Sequence, residues 1–395
     1  MSLKIIQINA SYKPAYIYGG PTMSVSKLCE VLTTKEGVDL EVLTTTANGK
    51  TELPVATDQR QNVEGVDVRY FKRITKDHSH FSPSLLKYLR RKLVILKRNQ
   101  PEQNLIIVHI QAWWNLVSML SCQIAKWQSI PVVLSPRGMI TSYTLGNRNA
   151  LSKRLLHSLM GKSLLEYCHF HVTSEKERQD VLKITKAKSI TVIPNILNLP
   201  AVDATSNGTK NENFQIIYLS RIEEKKGLEL LFNALAKVTF KWTLKLGGSG
   251  DPDYVNGLKK LSKDLIINRS VEWLGQVSNT DKFNLLARQD LMVLTSYNEN
   301  FANVVIESLS VGTAVLISEE VGLSDYVSEK QLGWISTLET DHITQKLEDA
   351  FKGSEKRKEI RQNAPQIIAL DFAAEALSEQ YMHMYKSILS PKSKI

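Results

Sequence analysis

No stretch of this 395-residue sequence reaches the roughly 18 consecutive apolar residues that a membrane-crossing helix needs. That absence excludes a helical membrane span. Cysteine is scarce: Cys29, Cys122 and Cys168 stand far apart, with no metal-ligand spacing between them. A zinc-ribbon-like site is excluded, and the pattern suits a reducing cytosol. The opening Lys4-Ile5-Ile6-Gln7-Ile8-Asn9 is too short and too polar for a signal peptide and reads as a first buried strand. No internal repeat and no low-complexity tract is present. Acid is short in the first half, where residues 1–200 hold 27 Lys and Arg against 14 Asp and Glu. Residues 201–395 hold 23 against 26, and the whole chain carries +10. Such asymmetry points to an anionic partner for the first half, either membrane surface or nucleic acid. Aromatics make up only 7% and are not interleaved with the basic residues, which argues against a nucleic-acid stacking array.

What is present is an ordinary globular composition, 43% hydrophobic and 23% charged, in a chain long enough for two domains. Strand-like runs at 3–10, 39–45, 66–71, 105–111, 131–135 and 169–173 alternate with helical or irregular stretches. A turn-rich segment at 196–213 reads as a linker. Alternation resumes at 214–219, 243–246, 271–274, 291–294 and 314–317. The expected fold class is therefore α/β, with two Rossmann-like doubly wound domains facing across a cleft. Their expected bounds are 1–198 and 210–371.

The stretch Ser296-Tyr297-Asn298-Glu299-Asn300-Phe301-Ala302-Asn303-Val304-Val305-Ile306-Glu307 follows the apolar run Leu291–Leu294 and leads into a helix stopped by Gly312. At the carboxyl end of a parallel strand, a helix N-terminus presents N–H groups to an anion. Glu299 in the loop can hold hydroxyls beside that anion. Glu307, about 12 Å further along at ~1.5 Å per residue, can hold another part of the same ligand. Taken alone, two glutamates eight apart read as a loop charge and a solvated helix charge. With Asn-Phe-Ala after the first and Ser-Leu-Ser-Val-Gly-Thr-Ala-Val around the second, the stretch resembles the donor-site signature of glycosyltransferase family 4. Those are retaining enzymes of the GT-B fold that use nucleotide-sugars. The family usually has Phe-Gly where this chain has Phe301-Ala302, and Ala302 is expected to narrow the space around the transferred sugar.

Three further motifs fall at strand ends. Arg221 and Lys226, in Ser220-Arg221-Ile222-Glu223-Glu224-Lys225-Lys226-Gly227, can neutralise a diphosphate from two sides or form a charged surface turn. Their spacing matches the family's diphosphate clamp. Gly247-Gly248-Ser249-Gly250-Asp251 admits close backbone approach to a phosphate or base, or simply makes a tight turn. Asp251-Pro252-Asp253 spells Asp-x-Asp, a metal motif in GT-A transferases; its context here is not of that kind. Tyr18-Gly19-Gly20-Pro21-Thr22 precedes a helix expected at 23–32, and the glycine pair permits contact with a β-phosphate or an acceptor.

His109-Ile110-Gln111 and Ser135-Pro136-Arg137-Gly138-Met139 end two further strands. Arg137 stands where many family members carry His, and can bind the acceptor, a phosphate of it, or the donor phosphate. His109 reads as an acceptor contact or as a satisfied strand-end histidine. His169 and His171 lack a third ligand and read as structural. Residues 82–98 form a basic amphipathic helix, with Leu85, Leu89, Leu93 and Leu96 on one face and Lys87, Arg90, Arg91 and Arg98 elsewhere. The charges face water or an anionic lipid surface.

The resemblance implies a metal-independent retaining transferase of the kind that assembles cell-surface polysaccharides, with no cofactor beyond a UDP- or GDP-sugar donor. It implies catalytic roles for Glu299, Arg221 and Lys226. Donor binding is expected from Glu307, Asn300, Phe301, Ala302, Asn303, Val304, Gly20, Gly248 and Gly250. Acceptor binding is expected from Gly19, Arg137 and His109. The expected partners are a nucleotide-sugar, a glycan or lipid-linked acceptor and an anionic membrane surface, with no nucleic acid. The expected location is cytoplasmic, with peripheral contact at the inner face of the membrane as an option. The last helix, 372–395, is expected to pack back on the first domain. Rival readings are a GT-B epimerase, a phosphorylase, or a catalytically idle sugar-nucleotide-binding partner.

Overall fold

The structure is a computed structural model that describes residues 2–99, 105–141, 161–200 and 212–390. It divides into two compact units, Met1–Leu197 with Ala374–Ile395, and Asn198–Ala373. Most of the expected linker, 201–211, lies outside the described residues.

The first unit is built on β1 (Leu3–Ile8), β2 (Val38–Thr45), a small hairpin of β3 (Ala47–Asn48) and β4 (Thr51–Glu52), then β5 (Arg60–Val63), β6 (Val66–Phe71), β7 (Ile106–Gln111), β8 (Val132–Ser135), β9 (His169–Val172) and β10 (Ser189–Val192). Its main sheet runs β10-β9-β8-β7-β1-β2-β6-β5. All pairs are parallel except β5–β6. The antiparallel edge departs from the expected all-parallel sheet. Its cause is local: Glu64 and Gly65 both take positive φ, 51° and 83°, which is the tight two-residue hairpin that matches strand twist.

Strand β7 is buried at every position, as a central parallel strand covered on both faces must be. Leu85, Leu89 and Leu93 of the helix Pro83–Asn99 are fully buried against this core, and Lys87, Arg90, Arg91 and Arg98 are exposed. The leucine stripe is thus core, and the cations face outward. The C-terminal helix Ala374–Leu389 joins the first unit and buries Tyr381 and Tyr385 in it.

The second unit carries β11 (Phe214–Leu219), β12 (Trp242–Gly247), β13 (Val271–Gly275), β14 (Leu291–Leu294), β15 (Ala314–Ser318) and β16 (Gly333–Ser336). The order is β13-β12-β11-β14-β15-β16, all parallel. Connections therefore leave β11 in opposite directions, which makes the β11–β14 gap a topological switch point. The β1–β7 gap is the corresponding point of the first unit.

Candidate active site

At the switch point of the second unit, two loops meet. The chain leaves β11 through Arg221, makes one tight helical turn at Glu224–Lys226, and enters the helix Leu228–Leu235 through Gly227 in the left-handed conformation, φ 63°. A Cβ on Gly227 would lie 2.2 Å from the carbonyl oxygen of Thr295, the first residue after β14. Only glycine permits that approach, and the Thr295 hydroxyl donates to the Gly227 carbonyl at 2.8 Å. The Tyr297 N–H donates to the Lys225 carbonyl at 2.9 Å. On its other side the loop is tied to the segment after β15. The Glu299 N–H donates to the Glu320 carbonyl at 3.1 Å, and the Gly322 N–H donates to the Glu299 carbonyl at 2.8 Å.

With its backbone fixed on both sides, Glu299 accepts an ion-paired hydrogen bond from Lys226, whose side chain is 7% exposed. Burial pushes the Glu299 carboxyl up. The charge and hydrogen bond of Lys226, with the charges of Lys225 and Arg221, outweigh this and hold it below the usual glutamate range. Lys225 is the converse: burial lowers its ammonium pKa, only partly offset by Glu299. Arg221 remains half-exposed, its guanidinium 2.5 Å from Glu223.

The helix Asn303–Ser310 follows directly, its N-cap Ala302 supplying no side-chain hydrogen bond. Its positive end therefore points out of the carboxyl edge of the sheet. Ala302 is itself left-handed, φ 66°. Asn300, Asn303 and Val304 are half-buried on this loop and first turn. Glu307, further along, accepts from Lys282 at 2.6 Å through one carboxylate oxygen. Phe301 is buried and meets Phe372 edge-on, with centroids 6.2 Å apart. Its ring anchors the loop.

The glycine turn after β12 makes close backbone contacts. The Gly248 N–H donates to Gly275 at 2.7 Å, and a Cβ there would stand 1.8 Å from the Ser220 carbonyl oxygen. Gly250 forms a backbone bridge with Ile222. These glycines serve close packing against the exit of β11, and the Gly248 amide is already spent. Asp251 caps the helix Pro252–Asp264, accepting from Asp253 N at 3.0 Å and Tyr254 N at 3.3 Å, so its carboxylate is occupied as a cap.

In the first unit, Gly19 is the N-cap of the helix Gly20–Thr33, with φ 66°. That helix begins at Gly20 rather than 23 because Pro21 favours a first turn. His109 is corrected from acceptor contact to structural group. It is fully buried, with Nδ1 2.8 Å from the Tyr385 hydroxyl and Nε2 2.7 Å from the Ser135 hydroxyl. His171 shares the network, Nδ1 lying 2.6 Å from the same Ser135 and Nε2 2.9 Å from Tyr381. Arg137 stays partly exposed; its Nε donates to Gln111 at 2.9 Å and a terminal nitrogen donates to Asn195.

Comparison with known proteins decides what such a pair of units is. The pattern described as "Glycosyl transferase 4-like domain" matches residues 19–196, and that of "Glycosyl transferases group 1" matches residues 202–367. The chain belongs to glycosyltransferase family 4. An uncharacterised glycosyltransferase of Methanocaldococcus jannaschii is 23% identical over 97% of this transferase and 98% of its own length. A lipopolysaccharide core biosynthesis glycosyltransferase of Rhizobium meliloti is 24% identical over 47% of the chain and 54% of its own length. Among solved structures, Anabaena HepE in complex with UDP and glucose superposes with a TM-score of 0.72 at 18% identity, over 98% of this chain and all of that one. The fold is that of the GT-B glycosyltransferases.

Several residues beside the candidate groups of each unit were not singled out from sequence. Lys225 was visible only as half of a lysine doublet. Lys282 lies 25 positions from Glu307 with no local signal. Gln111 shared a motif with His109, two positions on and therefore on the same side of the strand.

Proposed function

We propose that this transferase moves a sugar, with retention of anomeric configuration, from a UDP- or GDP-linked donor to a glycan or lipid-linked acceptor in the synthesis of a cell-surface polysaccharide. The observation that carries the reading is the Lys226–Glu299 pair, fixed beside Arg221 and a helix N-terminus at a switch point. Cations and an uncapped helix end concentrate positive potential where a diphosphate would leave, the kind of electrostatic stabilisation that often dominates catalysis. In this reading Glu307 holds the ribose hydroxyls, while Glu299 and the loop Asn300–Val304 hold the sugar. Arg221 and Lys226 neutralise the leaving group. The bond from the anomeric carbon to the β-phosphate oxygen breaks, the acceptor oxygen bonds that carbon, and the acceptor proton passes to the departing phosphate on the same face. No metal or further cofactor enters this scheme, which predicts full activity in EDTA.

A UDP donor is supported by the UDP complex of HepE, and a surface-glycan acceptor by the lipopolysaccharide relative. The exposed Lys87, Arg90, Arg91 and Arg98 fit an anionic lipid surface where such acceptors reside. A thermal-shift panel of UDP, GDP, ADP and their common sugars on wild type and Glu307→Ala tests the donor. One nucleotide stabilising wild type clearly more than the variant names it. No shift from any of them overturns the reading.

A further inference from the structure

We propose that Arg137 is an anion receptor in the first unit, and that the acceptor it takes carries a phosphate or diphosphate group. This rests on the reading above that the first unit binds the acceptor, and it specifies that acceptor's chemistry.

Three observations carry it. First, the guanidinium sits at the carboxyl end of β8 and remains partly exposed, yet it is ion-paired with no carboxylate among the described residues. Its partners are neutral: it donates to the side-chain oxygens of Gln111 and Asn195, both buried, and lies beside the buried Tyr381 hydroxyl. Its positive charge is thus oriented but not ion-paired, and a guanidinium fork suits a phosphate bidentately.

Second, the nearby carboxylate of Glu177 is committed elsewhere. Its Oε1 accepts from the Gly138 N–H at 2.7 Å, and its Oε2 accepts from the Thr173 N–H at 2.8 Å and the Thr173 hydroxyl at 3.1 Å. Those bonds hold Arg137 and Gly138 at φ 55° and 73°. A left-handed arginine is unfavourable by about 1 kcal/mol or more, and such strain persists where the surroundings fix a side chain for use.

Third, a buried network stands behind it. The Gln111 amide nitrogen lies 3.1 Å from His109 Nε2, and His109 in turn meets Ser135 and Tyr385. Burial holds both His109 and His171 far below the usual imidazole range, so the network is neutral. It positions Gln111, and through it Arg137, without supplying a counter-charge. His109 is therefore a positioning residue.

The same phosphate chemistry could come from the donor, and the experiment separates the two sources. Inorganic pyrophosphate is titrated into the full chain, with and without saturating UDP, while the Tm is followed. Wild type gains a saturable increment on top of the UDP shift. Arg137→Gln loses the increment but keeps the UDP shift. Gln111→Glu, nearly isosteric, supplies an internal carboxylate and weakens pyrophosphate by about tenfold or more, while the UDP shift reports that the variant is folded. The proposal is overturned by a wild type without the increment, or by Arg137→Gln or Gln111→Glu retaining it. Loss of the UDP shift in Arg137→Gln also overturns it, by assigning the guanidinium to the donor phosphate. Absence of a UDP shift in wild type would instead sink the donor reading and leave the pyrophosphate result to stand by itself.

Discussion

Lys226 and Glu299 lie 73 positions apart and meet in an ion pair at the carboxyl edge of one sheet. The meeting depends on β11 lying beside β14 and on a glycine at 227, where a Cβ would strike the loop that carries Glu299. Neither charge is dispensable to the other: Lys226 is almost wholly buried, and the Glu299 carboxyl stays ionised against the pull of burial because the lysines are there.

Removing both partners should therefore harm less than the two single removals summed. Lys226→Ala is expected to lower kcat by about 10²–10³ and to cost about 2 kcal/mol or more of stability. Lys226→Ala with Glu299→Ala should be less destabilised than the sum of the single variants by at least about 1 kcal/mol. Urea unfolding of the four proteins measures this, and simple additivity would show that the pair is not coupled.

The Glu307–Lys282 pair is expected to behave asymmetrically towards nucleotide. Glu307→Ala should weaken UDP or GDP about tenfold, the worth of charge-assisted bonds to ribose hydroxyls. Lys282→Met should change the affinity less than about threefold, as expected of a partly exposed pair. Calorimetric titration distinguishes them; equal losses would place Lys282 on the ligand.

Ala302 occupies a left-handed position, φ 66°, that glycine adopts without a Cβ penalty. Ala302→Gly is expected to raise stability by up to about 1 kcal/mol through relief of that strain, less the entropy of the freer glycine. The expected accompanying change is a broader tolerance of donor sugars. A Tm below that of wild type would contradict the strain.

Buried, uncharged His171 predicts a pH dependence. Burial, with the Arg137 charge, depresses its pKa from 6.5 to about 3, so between those values the unfolded chain binds the proton and the folded chain does not. Its contribution is intact above about pH 6.5 and is lost as pH falls towards 3, with a slope near 1.4 kcal/mol per pH unit. His171→Gln should reduce the slope of unfolding free energy between pH 4 and 6 by about that amount. An unchanged slope would mean that the imidazole is charged in the fold.

Rigidity at the loop junction is testable through Gly227→Ala. The added methyl meets the Thr295 carbonyl and must also adopt φ 63°. A loss of about 3 kcal/mol and of nucleotide binding is expected, and retention of both would show that the loop yields.

The strands and the site motifs were legible because each is local. A buried parallel strand, a polar loop and a helix start are written within a dozen residues, so Leu291–Leu294, Glu299 and the helix Asn303–Ser310 could be read in order. Edge strands β5, β10 and β16 were not read: β5 and β10 are short and little buried, and β16 begins on a glycine. His109 shows the limit for side chains. A histidine at the end of a strand looks the same in sequence whether it faces a ligand or Tyr385, which returns from 276 positions away. The sequence by itself determined the α/β alternation, the two units' worth of parallel strands and the chemistry placed at their carboxyl ends. Only the tertiary structure decided which loops meet. Parallel strands joined by crossovers can neighbour strands distant in the chain: the order β12-β11-β14 brings Lys226 to Glu299 in the second unit, and the order β10-β9-β8-β7 in the first sets Arg137 between Gln111 and Asn195.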